Sequence, residues 1–280
     1  MVIKRKIAAL ARQAHAKLLE RGAKTTMAII CIAMVVAGAL GFAGGCVFAM
    51  VLGKSGRNTQ MYRFAGDMSL DFGIDISRYQ FADLDLGSAI EAGGVQFVIM
   101  RATISTYENA DASCERFYRI AKEKGIPRGV YTFLRADGDP VKEAEYFLRH
   151  VSGYIGDAIL VVDYEEGLGA ASLGPEKGVE HLKTVVTTIE RETGVRPVIY
   201  CNYVHGYLGH NLAAHFPNHR FWVANYNEPA GSLLAGNIVM HQYSGRGSER
   251  SRAFYNGDLD LNTSSLTVEE WRALARKPGK

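Results

Sequence analysis

The sequence predicts an α/β fold: a TIM-like barrel with five βα units and three closing strands, preceded by one transmembrane helix. Three observations predict it. From residue 73, short apolar, β-branched runs alternate with helical stretches, the pattern of a parallel sheet or barrel. The runs FVIM (97–100) and ILVV (159–162) are continuously apolar, as strands covered on both faces are. Residues 25–53 carry no charged side chain at all.

The N-terminal quarter differs in character from the rest. Residues 1–24 hold seven basic side chains against Glu20 alone, whereas the whole chain of 280 residues is only +3. The remainder is therefore acidic, which gives no phosphate-tracking surface, and no nucleic-acid partner is expected. The uncharged stretch 25–53 exceeds the roughly 20 apolar residues that cross a hydrocarbon core. A basic tail ahead of it predicts a cytoplasmic N-terminus and an extracellular domain on a single-pass anchor at the cell membrane. A cleaved secretory leader, leaving a secreted protein, is the alternative, although such leaders have shorter apolar regions of about 7–15 residues. Residues 54–71 are polar and aperiodic and read as a linker, with the barrel at 72–280.

Eight strands are predicted: 73–77, 97–103, 128–134, 159–165, 197–201, 221–226, 238–244 and 259–262. Helices are predicted at 84–92, 112–124, 141–151, 175–193 and, shorter, near 203–212. Gly93, Gly125, Gly153 and Gly194 stand where helix C-caps are wanted, and Pro175 suits a first turn. Between Tyr226 and Ile238 the segment includes Pro229 and Gly231 and has no room for a full helix, so the last three strands close the barrel without helices. The stretch TVEEWRALAR (267–276) reads as a short amphipathic helix with Trp271 and Leu274 inward. No G-x-G-x-x-G or P-loop is present, so no nucleotide cofactor is expected. Cys31 and Cys46 fall in the apolar span, and Cys114 and Cys201 read as buried free thiols. His205, His210, His215 and His219 read as a polar loop and helix face rather than a metal patch.

Carboxylates sit where barrel strands end, which is where βα-barrels carry their chemistry. These are Asp75 in GIDIS, Asp163 and Glu165 in VVDYEE, and Asp260 in DLDLN. Positions i and i+2 share one face of a strand, so Asp163 and Glu165 point together, with Tyr164 opposite. Two acids held close cannot both ionise cheaply, which keeps one protonated near neutral pH. One such acid, further carboxylates and no nucleophile elbow point to glycoside hydrolysis. Clustered carboxylates also suit hard cations. Only His241 lies nearby, with no H-x-H or H-E-x-x-H spacing, so no metal is expected.

The ordered motifs GIDISRYQ (73–80), FVIMRAT (97–103), GVYTF (129–133), LVVDYE (160–165), PVIYCN (197–202), FWVANY (221–226), HQYS (241–244) and DLDLN (258–262) resemble those of glycoside hydrolase family 25, the Chalaropsis-type lysozymes or N-acetylmuramidases. The resemblance implies cleavage of the β-1,4 bond between N-acetylmuramic acid and N-acetylglucosamine in peptidoglycan, without a cofactor, by a protein taken here as a monomer. It makes Glu165 the general acid, with Asp163, Asp75 and Asp260 as the other groove carboxylates. It makes Tyr131, Trp222, Tyr226 and Gln242 substrate-binding residues. Three motifs depart from the family: Thr103-Ile104-Ser105 replaces T-E-G, Tyr131-Thr132-Phe133 replaces Y-H-F, and His241 precedes Gln242-Tyr243 where an aromatic is frequent. These departures support a second expectation, a non-catalytic peptidoglycan-binding barrel serving as an envelope scaffold.

Overall fold

The computed structural model describes residues 70–277 apart from 81 and 108–110. The predicted tail, the anchor at 25–53 and all but the end of the linker lie outside the described residues. Among the described residues no helix is long and apolar enough to cross a membrane.

Eight strands form a closed barrel in chain order. They are β1 (Gly73–Ile76), β2 (Phe97–Ile104), β3 (Arg128–Phe133), β4 (Ile159–Tyr164), β5 (Val198–Asn202), β6 (Phe221–Ala224), β7 (Ile238–Ser244) and β8 (Asp260–Ser264). Helices α1 (Leu86–Glu91), α2 (Ser113–Glu123), α3 (Pro140–Val151), α4 (Gly174–Thr193) and α5 (Leu212–His215) follow β1 to β5 in turn, and α6 (Val268–Leu274) ends the domain. The five βα units and three closing strands are thus as expected. Neighbouring strands are parallel from β1 through β7, whereas β8 runs antiparallel to both β7 and β1.

Local chemistry sets the helix ends. Asp139 caps α3, accepting from the amides of Val141 and Lys142, and Pro140 occupies the first turn. Helix α4 ends on Gly194, whose φ of 71° is the left-handed cap that glycine adopts without a Cβ clash. Gly153, expected as the cap of α3, instead lies in a 3-10 turn, Ser152–Tyr154, that continues the helix. The short helix expected near 203–212 is a π-helical turn, Tyr203–Gly209, followed by α5. Asn202 starts that turn by accepting from the amides of Val204 and His205.

Alternation along the strands builds two cores. Phe97, Ile99, Ile159, Val161, Val198, Trp222 and Met240 fill the barrel interior. Val98, Met100, Val130, Leu160, Val162, Ile199 and Val223 face outward and pack beneath Phe117, Phe147, Leu182, Val185 and Ile189 of the helices. Burial on both faces is why these strands read as unbroken apolar runs. Helix α6 packs against the barrel interior near the strands' N-terminal ends. Its Trp271 is buried, with its ring centroid 5.0 Å from that of Phe97, and its indole N–H donates to the Arg128 carbonyl at 2.8 Å. Leu274 is half-buried against the same layer.

Candidate active site

Every predicted site residue gathers around one pocket of about 130 Å³. It lies at the C-terminal ends of the parallel strands and, because β8 runs antiparallel, at the N-terminal end of that strand, where Asp260 is the first residue rather than the expected strand end. Asp75 comes from β1, Tyr131 from β3, Asp163 from β4, Trp222 from β6, Gln242 from β7 and Asp260 from β8. Glu165 follows β4 directly and lies just beyond the strand in which it was expected; Tyr226 follows β6 at a similar distance. Asp75 and Asp260 are register partners across the antiparallel β1–β8 pair. Tyr200 of β5 completes the lining.

A hydrogen-bond network fixes the floor. The Asp75 carboxylate oxygen Oδ2 accepts from Gln242 Nε2 at 2.9 Å and from Asn262 Nδ2 at 2.7 Å. Gln242 Oε1 accepts from the hydroxyls of Tyr200 and Tyr226, each at 2.8 Å. Asn262 Oδ1 accepts from the Trp222 indole at 2.8 Å. Gln242 therefore orients Asp75 from behind while also lining the pocket. Trp222 is only 2% exposed and forms a wall, whereas Tyr226, 57% exposed, offers an open aromatic edge at the rim. Asp163 is buried, and its Oδ1 has no hydrogen-bond partner.

Crowding four carboxylates against low-dielectric walls raises their proton affinities. Burial lifts Asp75 to about 6 against the pull of the Asn262 and Gln242 amides. Burial, then the charges of Asp75 and Glu165, lift Asp260 to about 8. Asp163 is pushed well up by burial and by Glu165 and Asp75, with Arg101 opposing. Glu165 is raised by burial, and the Tyr200 hydroxyl draws it back. Tyr200 has one hydroxyl proton; with Tyr226 already satisfying Gln242, that proton is free to turn toward Glu165.

The motif departures fall in two classes. Thr132 is buried on the face opposite Tyr131, and its Oγ1 accepts from Thr103 Oγ1 at 2.8 Å. His241 is buried facing away from the pocket, its Nδ1 accepting from the Gly231 amide and its Nε2 reaching the Asn225 carbonyl. Neither touches the groove. Ile104 stands in the row of a groove carboxylate. A register shift between Arg101 and Thr103 brings Ile104 opposite Phe133, and Phe133 stands opposite Asp163. These three share one row and one face of the sheet.

Outside the pocket, the predicted histidine face divides. His210 bonds the Tyr164 hydroxyl at 2.8 Å, while His219 lies beside Glu190 at 3.3 Å. Among the described residues no three His, Cys, Asp or Glu side chains could hold a metal ion. Cys114 and Cys201 are buried and free, and burial pushes the Cys114 thiol up to about 12.

Residues 74–251 match the family described as glycosyl hydrolases family 25. The chain belongs to that family. As a family 25 member it is a glycoside hydrolase. It is 29% identical over 206 residues to the uncharacterised protein YegX of Escherichia coli strain K12, covering 72% of each chain. It is 29% identical over 210 residues to an autolytic lysozyme of Clostridium acetobutylicum, covering 74% of this chain and 60% of that one. Among solved structures, a muramidase from Acremonium alcalophilum superposes with a TM-score of 0.61 at 26% identity, over 73% of this chain and 98% of that one. Tyr200, Asn262 and Arg101 are site residues that the motifs did not single out. Alternation places Asn262 on the inward face with Asp260, and Arg101 is a lone charge in an apolar strand.

Proposed function

We propose that this family 25 barrel is a membrane-anchored peptidoglycan hydrolase that cleaves the β-1,4 bond between N-acetylmuramic acid and N-acetylglucosamine. The observation that carries this reading is the pairing of Glu165, raised by burial, with Asp163, whose buried Oδ1 has no partner, at one pocket. A protonated Glu165 gives its proton to the glycosidic oxygen as the bond to the leaving sugar breaks. The acetamido oxygen of the sugar that keeps the anomeric carbon, not of the one that leaves, attacks that carbon and closes a cyclic intermediate, an exception to the two-carboxylate schemes. Asp163 Oδ1 accepts the acetamido N–H and stabilises the positive charge that builds on that group. Water then opens the ring, and Glu165, now a carboxylate, takes the water's proton. Asp75 and Asp260 hold the rest of the groove acidic and polar. Tyr131, Trp222, Tyr226 and Gln242 shape the sugar sites.

The test is release of reducing ends from purified peptidoglycan by the full chain in neutral detergent. Removing a general acid loses about 10²–10⁴ in rate. Glu165→Gln is expected to fold as the parent does and to fall by that factor. A variant within a few-fold of the parent would overturn the assignment. A parent that binds peptidoglycan and releases nothing would establish the scaffold reading instead.

A further inference from the structure

Arg101 is a charge in the middle of an otherwise apolar strand, FVIMRATI. Alternation places it on the inward face with Phe97 and Ile99. It is 9% exposed. Its Nε donates to Asp111 Oδ2 at 3.2 Å, and its Nη2 lies 3.2 Å from the same oxygen without making a hydrogen bond. Asp111 is already engaged: Oδ2 also accepts from the Arg78 amide at 2.8 Å, and Oδ1 accepts from the Ser113 amide and hydroxyl. The ring of Tyr79 lies 5.2 Å from the guanidinium carbon and covers it. The guanidinium is held in place, largely cut off from water, and only partly satisfied by its partner.

A buried, incompletely paired cation is costly unless another anion shares it. The pocket holds an anion on the same inner face. Arg101 is the register partner of Tyr131, and Phe133, two residues further along β3, is the register partner of Asp163. Asp163 carries the complementary deficit, a buried carboxylate oxygen with no donor. The two unmatched groups have opposite charge and face the same end of the barrel.

We propose that Arg101 is a positioning residue that favours the carboxylate form of Asp163, aimed by Asp111 and shielded by Tyr79, against the burial and the neighbouring acids that favour its protonation. The groups facing Asp163 are known from each side. Glu165 on its own chain segment, Asp75 from β1 and Asp260 from β8 all favour its protonation, and Arg101 from β2 opposes them. Tyr131 from β3 and Tyr200 from β5 are neutral phenols whose own ionisation burial suppresses. Without Arg101 the proton would be held more tightly at Asp163, and a protonated Asp163 could not stabilise a positive acetamido group. That consequence rests on the reaction proposed above; the electrostatic coupling itself does not.

The experiment therefore reads ionisation and catalysis separately. The full chain in neutral detergent, labelled with ¹³C at aspartate carboxyls and assigned with Asp163→Asn, is titrated by NMR. The dependence of kcat/KM on pH is measured on purified peptidoglycan. Arg101→Gln is expected to raise the proton affinity of Asp163 about tenfold, one pH unit, and to move the acidic limb of the rate profile upward with it. Arg101→Lys, which keeps the charge, is expected to return both toward the parent. Asp111→Asn is the second variant. It strips Arg101 of its first anion, so the Asp163 midpoint is expected to move the other way, downward. An Asp163 midpoint that ignores all three substitutions, or a uniform rate loss with an unmoved profile, makes Arg101 a structural residue only and overturns the inference. A parent with no cleavage but the expected midpoint shifts would sink the proposed reaction and leave the inference standing.

Discussion

Asp260 shows how one side chain trades stability for a site. Its carboxyl is held at about 8 by burial and by Asp75 and Glu165, against 3.8 for an unperturbed aspartate. The folded state therefore favours the protonated form. The stability this brings is full below about pH 4 and is lost as pH rises toward 8, because the unfolded chain ionises freely and the folded one does so at a cost. Asp75, at about 6, loses its share over a lower window. Asp260→Asn removes the charge with little change of shape. Its melting temperature is expected to match the parent near pH 4 and to exceed it above pH 8, as scanning fluorimetry at the two pH values would measure. A variant equal to the parent at high pH would mean that Asp260 is solvated and ordinary. The four acids were readable in the sequence because strand-end carboxylates stand out. What tunes them was not, because the amides of Asn262 and Gln242 act on Asp75, which lies 187 and 167 residues away along the chain, and Gln242 was read only for its place in a motif.

At the scale of the element, side-chain pattern and backbone hydrogen bonding were legible to different degrees. Burial on both faces wrote β2 and β4 as apolar runs, and their positions follow directly. The direction of β8 left no such mark, since alternation looks the same in parallel and antiparallel strands. The π-helical turn at Tyr203–Gly209 was read as an ordinary helix for the same reason: its extra residue per turn is a backbone property set by Asn202 and the short path to β6. Helix α6 was legible, including Trp271, but not its task. Trp271 joins the barrel's inner core beneath Phe97 and ties itself to β3 through Arg128. Truncating a buried Trp costs about 3–5 kcal/mol. Trp271→Ala is expected to lower the denaturant midpoint accordingly while leaving kcat/KM unchanged at low temperature, because the pocket is built from the opposite ends of the strands. A loss of activity at full stability would show that α6 reaches the site by some other route.

At the scale of the whole molecule, charge is divided between two regions of the chain: a basic stretch, residues 1–24, and a barrel sequence of net negative charge. An acidic catalytic face does little to concentrate itself on an anionic polymer, and Ile104 in the row of Asp163 removes one polar contact that family resemblance would supply there. Such contacts contribute about 0.5–1.5 kcal/mol each. The anchor proposed above would compensate by holding the enzyme at high local concentration beside its polymer, which raises apparent affinity without any new contact. This is the physical case for reading residues 25–53 as a retained anchor. It makes a topological prediction. With the basic tail inside and the barrel outside, protease added to intact spheroplasts is expected to digest the barrel and spare an epitope placed at the N-terminus, and detergent is expected to expose that epitope. A cleaved leader would instead leave a soluble protein in the medium whose N-terminal sequence begins near residue 50. A barrel protected in intact spheroplasts would place the site away from the wall, and the proposed substrate would fall with the anchor.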